Sequence, residues 1–211
     1  MVNLKIVELF AGSRSFGKVA EKQGYAVFSV DISQFSGIDL ITDIEFLMPE
    51  QFPFIPDIIW GSPPCTSYSI AAISSHRNGT IAISEFAKKS DRVIANTLKL
   101  INHFGCIFYL ENPVGMLRKM PFMRGIDRTT ITYCSYGDTR MKPTDIWSNN
   151  IADIFNKKGW QPRPKCYNGN IKCQHESAPR GSKTGTQGRK NNYERSKIPE
   201  QLFIDILNSH Q

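Results

Sequence analysis

Residues 4–31, LKIVELFAGSRSFGKVAEKQGYAVFSVD, decide the fold. Lys5–Phe10 (KIVELF) is a short β-type run. Arg14–Gln23 has helical character and stops at Gly24, and Ala26–Val30 (AVFSV) is a second β-type run closed by Asp31. Strand, helix, strand within 30 residues is the unit of an α/β sheet. Asp57–Trp60 (DIIW) predicts a third strand, broken by Gly61 and Pro63-Pro64. From Glu85 to His103 the apolar side chains of Phe86, Val93, Ile94, Thr97, Leu98 and Ile101 keep close to a 3.6-residue period, which predicts a long amphipathic helix. Cys106–Leu110 (CIFYL) follows as a strand stopped by Glu111-Asn112-Pro113, and Thr129–Cys134 and Thr144–Trp147 predict a last pair. Past Asn150 the periodicity gives way to Pro, Gly, Asn and Lys, and order returns at Pro199, a favourable first helical position, with Leu202, Phe203, Ile206 and Leu207 on one face. The expected organisation is an α/β domain over 1–150, a loop-rich basic segment over 151–197 and a closing helix over 198–211.

Composition narrows the function. The 211 residues suit one domain, and 40% hydrophobic content is ordinary for a globular chain. No stretch approaches the roughly 20 apolar residues that cross a bilayer, and the start lacks the basic and apolar regions of a signal peptide. Five cysteines at irregular spacing point to reduced thiols and an intracellular, cytoplasmic protein. Lys and Arg number 26 against 19 Asp and Glu, a net charge of +7. The excess lies between Lys157 and Lys197, where only Glu176 and Glu194 are acidic. Such a segment suits phosphate contact with counterion release, and equally a solvated face.

Three loops at strand ends carry candidate chemistry. Phe10-Ala11-Gly12 turns from the first strand into a helix whose free N–H groups can meet a polar ligand, and Asp31 ends the second strand where an acid can bind ribose hydroxyls. An ordinary βα turn with an exposed acid reads the same. Gly61-Ser62-Pro63-Pro64-Cys65-Thr66-Ser67-Tyr68-Ser69 holds a thiol between rigid prolines and hydroxyls, fit for a nucleophile as well as for a buried structural cysteine. Glu111-Asn112-Pro113 offers a carboxylate as acid or hydrogen-bond partner, or is a plain turn.

Together and in this order, VELFAG, GSPPCTSYS and LENP resemble the cofactor, PCxxxS nucleophile and ENV motifs of the cytosine-C5 DNA methyltransferase family, in its small, phage-type form. The resemblance covers residues 4–148 well and 195–207 loosely. It implies a Rossmann-like methyltransferase fold that uses S-adenosylmethionine, a mostly parallel sheet with an antiparallel terminal strand, and methylation of a cytosine flipped out of DNA. It assigns Cys65 as the nucleophile, Glu111 to cytosine N3 and the amino group, and Arg140, in TYCSYGDTRMKPTDIW, to steady the base or the Cys65 region. Phe10, Ala11, Gly12, Asp31, Ile32, Asp43 and Pro63 would hold the cofactor. SKIPEQLFIDIL is similar to the motif with which the chain returns to cover it. Ser69, Arg180, Lys183 and Gln187 are the expected DNA contacts.

The sequence departs from the family in three ways. Ser13, Arg14 and Ser15 stand where further glycines are usual, Pro113 replaces a valine, and only about fifty residues separate Asn149 from the final helix. So short a segment leaves room for a partner that supplies target recognition to an otherwise monomeric enzyme. A tRNA cytosine methyltransferase would use the same motifs, and a non-catalytic nucleic-acid-binding remnant would keep the basic segment. Cys166, Cys173 and His175 form a C-x6-C-x-H cluster with three ligands for zinc, but its spacing misses the common finger patterns. No metal is assigned from the sequence.

Overall fold

A computed structural model describes residues 4–152, 157–176 and 196–211. Nine strands are present among them: β1 (Lys5–Leu9), β2 (Ala26–Asp31), β3 (Leu40–Ile41), β4 (Ile58–Gly61), a small hairpin of β5 (Arg77–Asn78) and β6 (Ile81–Ala82), β7 (Ile107–Pro113), β8 (Arg128–Thr132) and β9 (Pro143–Ser148). The helices are α1 (Ser15–Lys22), the single turn α2 (Ile73–His76), α3 (Glu85–Phe104) and α4 (Glu200–Asn208). Seven strands form one sheet in the order β3-β2-β1-β4-β7-β9-β8. The first five are parallel, and β9 runs antiparallel to both β7 and β8. The last strand among the described residues is thus inserted beside β7 rather than added at the edge. No helix among the described residues is long and apolar enough to cross a membrane.

Both faces of the sheet are covered, so its strands read as continuous apolar runs whose side chains alternate between two cores. Val7, Leu9, Ile59, Phe108 and Leu110 point to the α3 side and meet Val93, Ile94 and Ile101. Ile6, Ile58, Trp60 and Tyr109 point to the other side and meet Phe16 and Val19 of α1 and Leu202, Phe203 and Ile206 of α4. Phe16, Trp60 and Phe203 form an aromatic knot with ring centroids 4.9–5.1 Å apart, which fixes α4 against α1. Trp160, from the loop-rich segment, is also buried in this core, and its backbone pairs with Asn150 and Ala152.

Three local expectations are corrected. The strand after α3 does not stop at Leu110. Antiparallel pairing with β9 carries it through Glu111, Asn112 and Pro113. Pro199 precedes α4 as its cap, with extended ψ, and is not its first helical residue. Nor does Gly12 bear the sharp turn after β1, because the left-handed backbone positions are Phe10 (φ 57°) and Arg14 (φ 51°). A side chain at such φ is uncommon and is held there by its surroundings.

The N–H groups at the start of α1, expected to be free for a ligand, are already taken. Glu8 sits buried in β1 and accepts from the backbone N–H of Phe16 and of Gly17, each at 3.0 Å. A Cβ on Gly17 would lie 2.6 Å from a Glu8 oxygen, so glycine is what lets the carboxyl reach the helix end. Burial raises the Glu8 pKa to about 7, against the opposing pull of those two amides. A carboxyl whose pKa rises on folding favours the folded state while it is protonated. That advantage is lost as pH climbs from about 4.5 towards 7, at up to about 1.4 kcal/mol per pH unit. Urea denaturation between pH 5 and 8 should show this slope, and Glu8→Gln should flatten it relative to the unmodified protein. An unchanged slope would mean that Glu8 does not titrate there.

Candidate active site

The site is built where parallel strands end. Gly61 of β4 lies opposite Leu110 of β7, so the loops that follow leave the sheet side by side. The side-chain amide of Asn112 donates to the carbonyl of Pro63 at 2.9 Å and ties the Cys65 loop to β7. Beyond Cys65 the chain enters a 3-10 turn, Thr66–Tyr68, gripped from behind by Arg77. The buried Arg77 guanidinium donates to the Ser67 carbonyl, pairs with Asp91 through both terminal nitrogens, and lies 4.4 Å over the Tyr68 ring. Tyr68 donates its hydroxyl to Asp91 at 2.8 Å. On the other side Gly115 passes so close that a Cβ would meet the Tyr68 carbonyl oxygen at 2.5 Å. Cys65 therefore stands on a loop braced from three directions.

Glu111 is buried, and its pKa is raised by loss of solvent, opposed chiefly by the charge of Lys142 and a hydrogen bond from Tyr133. The Tyr133 hydroxyl donates to Glu111 Oε1 at 2.7 Å. Lys142 lies with its Nζ 4.5 Å from the centre of the Tyr133 ring. Burial pulls the Lys142 pKa down, while the fields of Glu111 and Cys65 push it up. Lys142 thus lies near enough to both the thiol and the carboxyl for their charges to act on it. Its backbone is left-handed, φ 26°, the third such non-glycine position in the described chain.

Arg140 is buried between Asp138 and the approach to α4. Its backbone N–H and guanidinium hold Asp138, and Nη2 donates to the carbonyl of Lys197 at 2.9 Å, on the approach to α4. It acts on Glu111 through its field, less strongly than Lys142 does. Lys142 is thus a site residue that the sequence reading missed. Its signal was the second cation of Arg140-Met141-Lys142, directly before β9.

Next to the Cys65 loop a cavity of about 450 Å³ opens at the ends of β1, β2 and β4. Of the residues expected to hold a cofactor, Phe10, Asp31, Ile32, Asp43 and Pro63 line it. Ala11 and Gly12 do not, although the Gly12 N–H donates to Asp31 at 2.9 Å and so orients that carboxylate. Asp43 caps the Ile44–Phe46 turn and pairs with Lys89 of α3 at 2.6 Å, which together hold its pKa below the usual range although partial burial opposes them. Phe86, read from the sequence as a core position of the long helix, lines the cavity as well. No residue of α4 lines it, so the closing helix braces the opposite face of the sheet instead of covering this pocket. Ser69 follows the Cys65 turn, partly exposed. Arg180, Lys183 and Gln187 lie outside the described residues.

The comparisons agree with this architecture. A probable DNA (cytosine-5)-methyltransferase of Frog virus 3 (isolate Goorha) is 23% identical over 227 aligned positions, which span 97% of this chain and 99% of the viral protein. The chain is similar end to end to a cytosine-C5 methyltransferase. The Entamoeba histolytica methyltransferase EhMeth superposes with a TM-score of 0.54 at 11% identity, covering 70% of this chain and 53% of that one. The S. pombe Dnmt2 methyltransferase gives a TM-score of 0.46 at 15% identity, over 69% of this chain and 49% of its own. The match therefore spans about half the length of these solved proteins. No protein-family profile matches the sequence. The chain is thus similar along its length to that viral protein, and its fold is similar to that of EhMeth.

The position of Lys142 makes a test that needs no substrate. A cation beside a thiol favours the thiolate, the form that reacts with iodoacetamide. Lys142→Met should slow alkylation of Cys65 at pH 7.5 roughly three- to tenfold, followed by mass spectrometry of the Cys65 peptide. An unchanged rate would remove Lys142 from the thiol's environment.

Proposed function

We propose that this protein transfers a methyl group from S-adenosylmethionine to carbon 5 of cytosine in DNA, with Cys65 as the nucleophile. The observation that carries the reading is that the Cys65 loop and the buried Glu111 follow adjacent strand ends, tied by the Asn112–Pro63 hydrogen bond, beside a cavity large enough for a nucleoside. The cavity suits S-adenosylmethionine: Phe10, Ile32, Phe86, Val93 and Ile94 offer apolar surface to an adenine, and the Asp31 carboxylate, fixed by the Gly12 and Ser33 amides, faces a ribose. When bound, the cofactor supplies an electrophilic methyl group.

The residues of the chain do the rest. The Cys65 thiolate, favoured by Lys142, adds to carbon 6 of the base and makes carbon 5 electron-rich. Burial raises the pKa of Glu111, and in its protonated form the carboxyl can donate to cytosine N3, which stabilises the negative charge that develops during addition. Tyr133 and Lys142 keep Glu111 oriented for this task. Once carbon 5 carries the methyl group, its proton passes to solvent, the C–H electron pair restores the carbon 5–carbon 6 double bond, and Cys65 leaves as a thiolate. The base must leave the duplex stack to meet both groups. Arg140 works as a positioning residue, closing the chain before α4 onto the site. Arg180 and Lys183 would contact the DNA backbone, Gln187 and Ser69 the region of the flipped base.

Fluorine at carbon 5 cannot leave as a proton, so DNA containing 5-fluorocytosine should trap the protein covalently when S-adenosylmethionine is present. Cys65→Ser should abolish trapping and turnover, and Glu111→Gln should cut turnover by about 100-fold or more while cofactor binding persists. Methylation retained by Cys65→Ser would overturn the reading. Methyl transfer to tRNA but not to DNA under the same conditions would move the substrate to RNA. For the basic segment, Lys183→Ala should weaken DNA binding equally across sequences and flatten its salt dependence. A loss confined to one sequence would show that Lys183 reads bases instead.

A further inference from the structure

Three ligands of the C-x6-C-x-H stretch acquire a fourth in the folded chain. Cys134, 32 residues before Cys166 and carried on the turn Tyr133–Tyr136, brings its sulfur to the same point as Cys166, Cys173 and His175. One ligand atom from each of the four lies within 4.8 Å of all the others. Cys166 Sγ and His175 Nδ1 are 3.5 Å apart. A tetrahedral zinc with bonds of about 2.3 Å to sulfur and 2.0 Å to nitrogen has ligand–ligand edges of roughly 3.5–3.8 Å, so the four need little movement to close around an ion. We propose that Cys134, Cys166, Cys173 and His175 bind one zinc ion, which fastens the basic segment to the turn that carries Tyr133.

The surroundings are those of a metal knuckle. Between Cys166 and Cys173 the chain reverses at Gly169, φ 81°, with the amides of Asn170 and Cys173 closing successive turns onto Tyr167 and Asn170. The Asn170 side-chain amide donates to Cys166 Sγ at 3.2 Å, as donors around a bound thiolate do, and its oxygen is held by the Lys172 N–H. The loop is docked on both flanks of the cluster. The Cys166 N–H donates to Thr132 Oγ1, the Ser135 hydroxyl to the Pro164 carbonyl, and the Glu176 N–H to the Thr139 carbonyl, each at 2.8 Å. Its apolar side chains contribute little: Ile171 is 97% and Tyr167 65% exposed. A loop with so little buried surface is the kind that a structural metal stabilises. Three thiolates and one imidazole are donors that favour zinc.

The consequence reaches the active site. Cys134 adjoins Tyr133, whose hydroxyl donates to Glu111, so an ion on this turn would set the basic segment and the Glu111 partner as one rigid piece. The inference is independent of the proposed reaction, because its readout is metal and not methyl transfer. Protein purified under reducing conditions, without chelator or histidine tag, should carry about one zinc per chain by elemental analysis. Cobalt(II) exchange should give the thiolate charge-transfer and d–d absorption of a tetrahedral site. Cys134→Ser should lose most of the metal, whereas Cys106→Ser, at a cysteine outside the cluster, should keep it. Since Cys134→Ser touches the core turn, Cys173→Ser serves as the second variant: zinc should be lost while circular dichroism of the α/β core is kept. Wild-type protein without zinc, or full zinc content in both Cys134→Ser and Cys173→Ser, overturns the proposal.

Discussion

Asn112 donates to the Pro63 carbonyl across the ends of two neighbouring parallel strands, and the geometry of the site depends on that bond. Parallel pairing of β4 with β7 puts Gly61 beside Leu110 and sends both following segments off one edge of the sheet. Pairing alone would leave the Cys65 loop free to swing. Two prolines remove most of its backbone freedom, and the Asn112 amide removes the rest at Pro63. The Arg77–Asp91–Tyr68 network then holds the loop from beneath. Buried ionic groups of this kind are costly to desolvate, and this one is sustained because each partner is hydrogen-bonded as well as charged.

Two buried carboxyls show how environment divides similar chemistry. Glu8 and Glu111 both lie inside the sheet, and burial raises the pKa of each. Glu8 spends its oxygens on two helix amides and serves the packing of α1 against β1. Glu111 instead accepts from Tyr133 and feels the charge of Lys142, both from segments beyond β7. The left-handed backbone at Lys142 is strained for a residue with a side chain, and strain of this sort is tolerated where surrounding contacts over-determine a conformation.

The basic segment is not simply appended. Trp160 is buried beneath β7, and Arg163 pairs with Asp205 of α4 at 2.6 Å and donates to the Ser135 carbonyl. Arg163 therefore serves to hold the loop and α4 together, although composition counts it among the charges open to phosphate. Cys166 and its neighbours extend that hold to the Tyr133 turn. Residues 160–176 of the segment are thus tied to the sheet, to α4 and to the Tyr133 turn.

By itself the sequence determined β1, β2, β4, α3 and the last helix, because apolar periodicity is local and both faces of the sheet must be filled. It also determined which loops bear the candidate chemistry, since Gly, Pro and the acid that follows each strand are short-range signals. The tertiary structure decided what depends on distant partners. Glu111-Asn112-Pro113 read as a turn because nothing in CIFYLENP reveals that β9, some thirty residues later, would pair with it. Glu8 read as an ordinary strand residue until the start of α1 came back over it. Lys142 stood two residues from Arg140 in sequence, and only the fold shows that its charge acts on Glu111 and that its side chain lies over the Tyr133 ring. Cys134 was separated from its companions by a strand and a long loop. Ligand sets and ion pairs are fixed by proximity in space, and chain connectivity leaves that undetermined until the sheet closes.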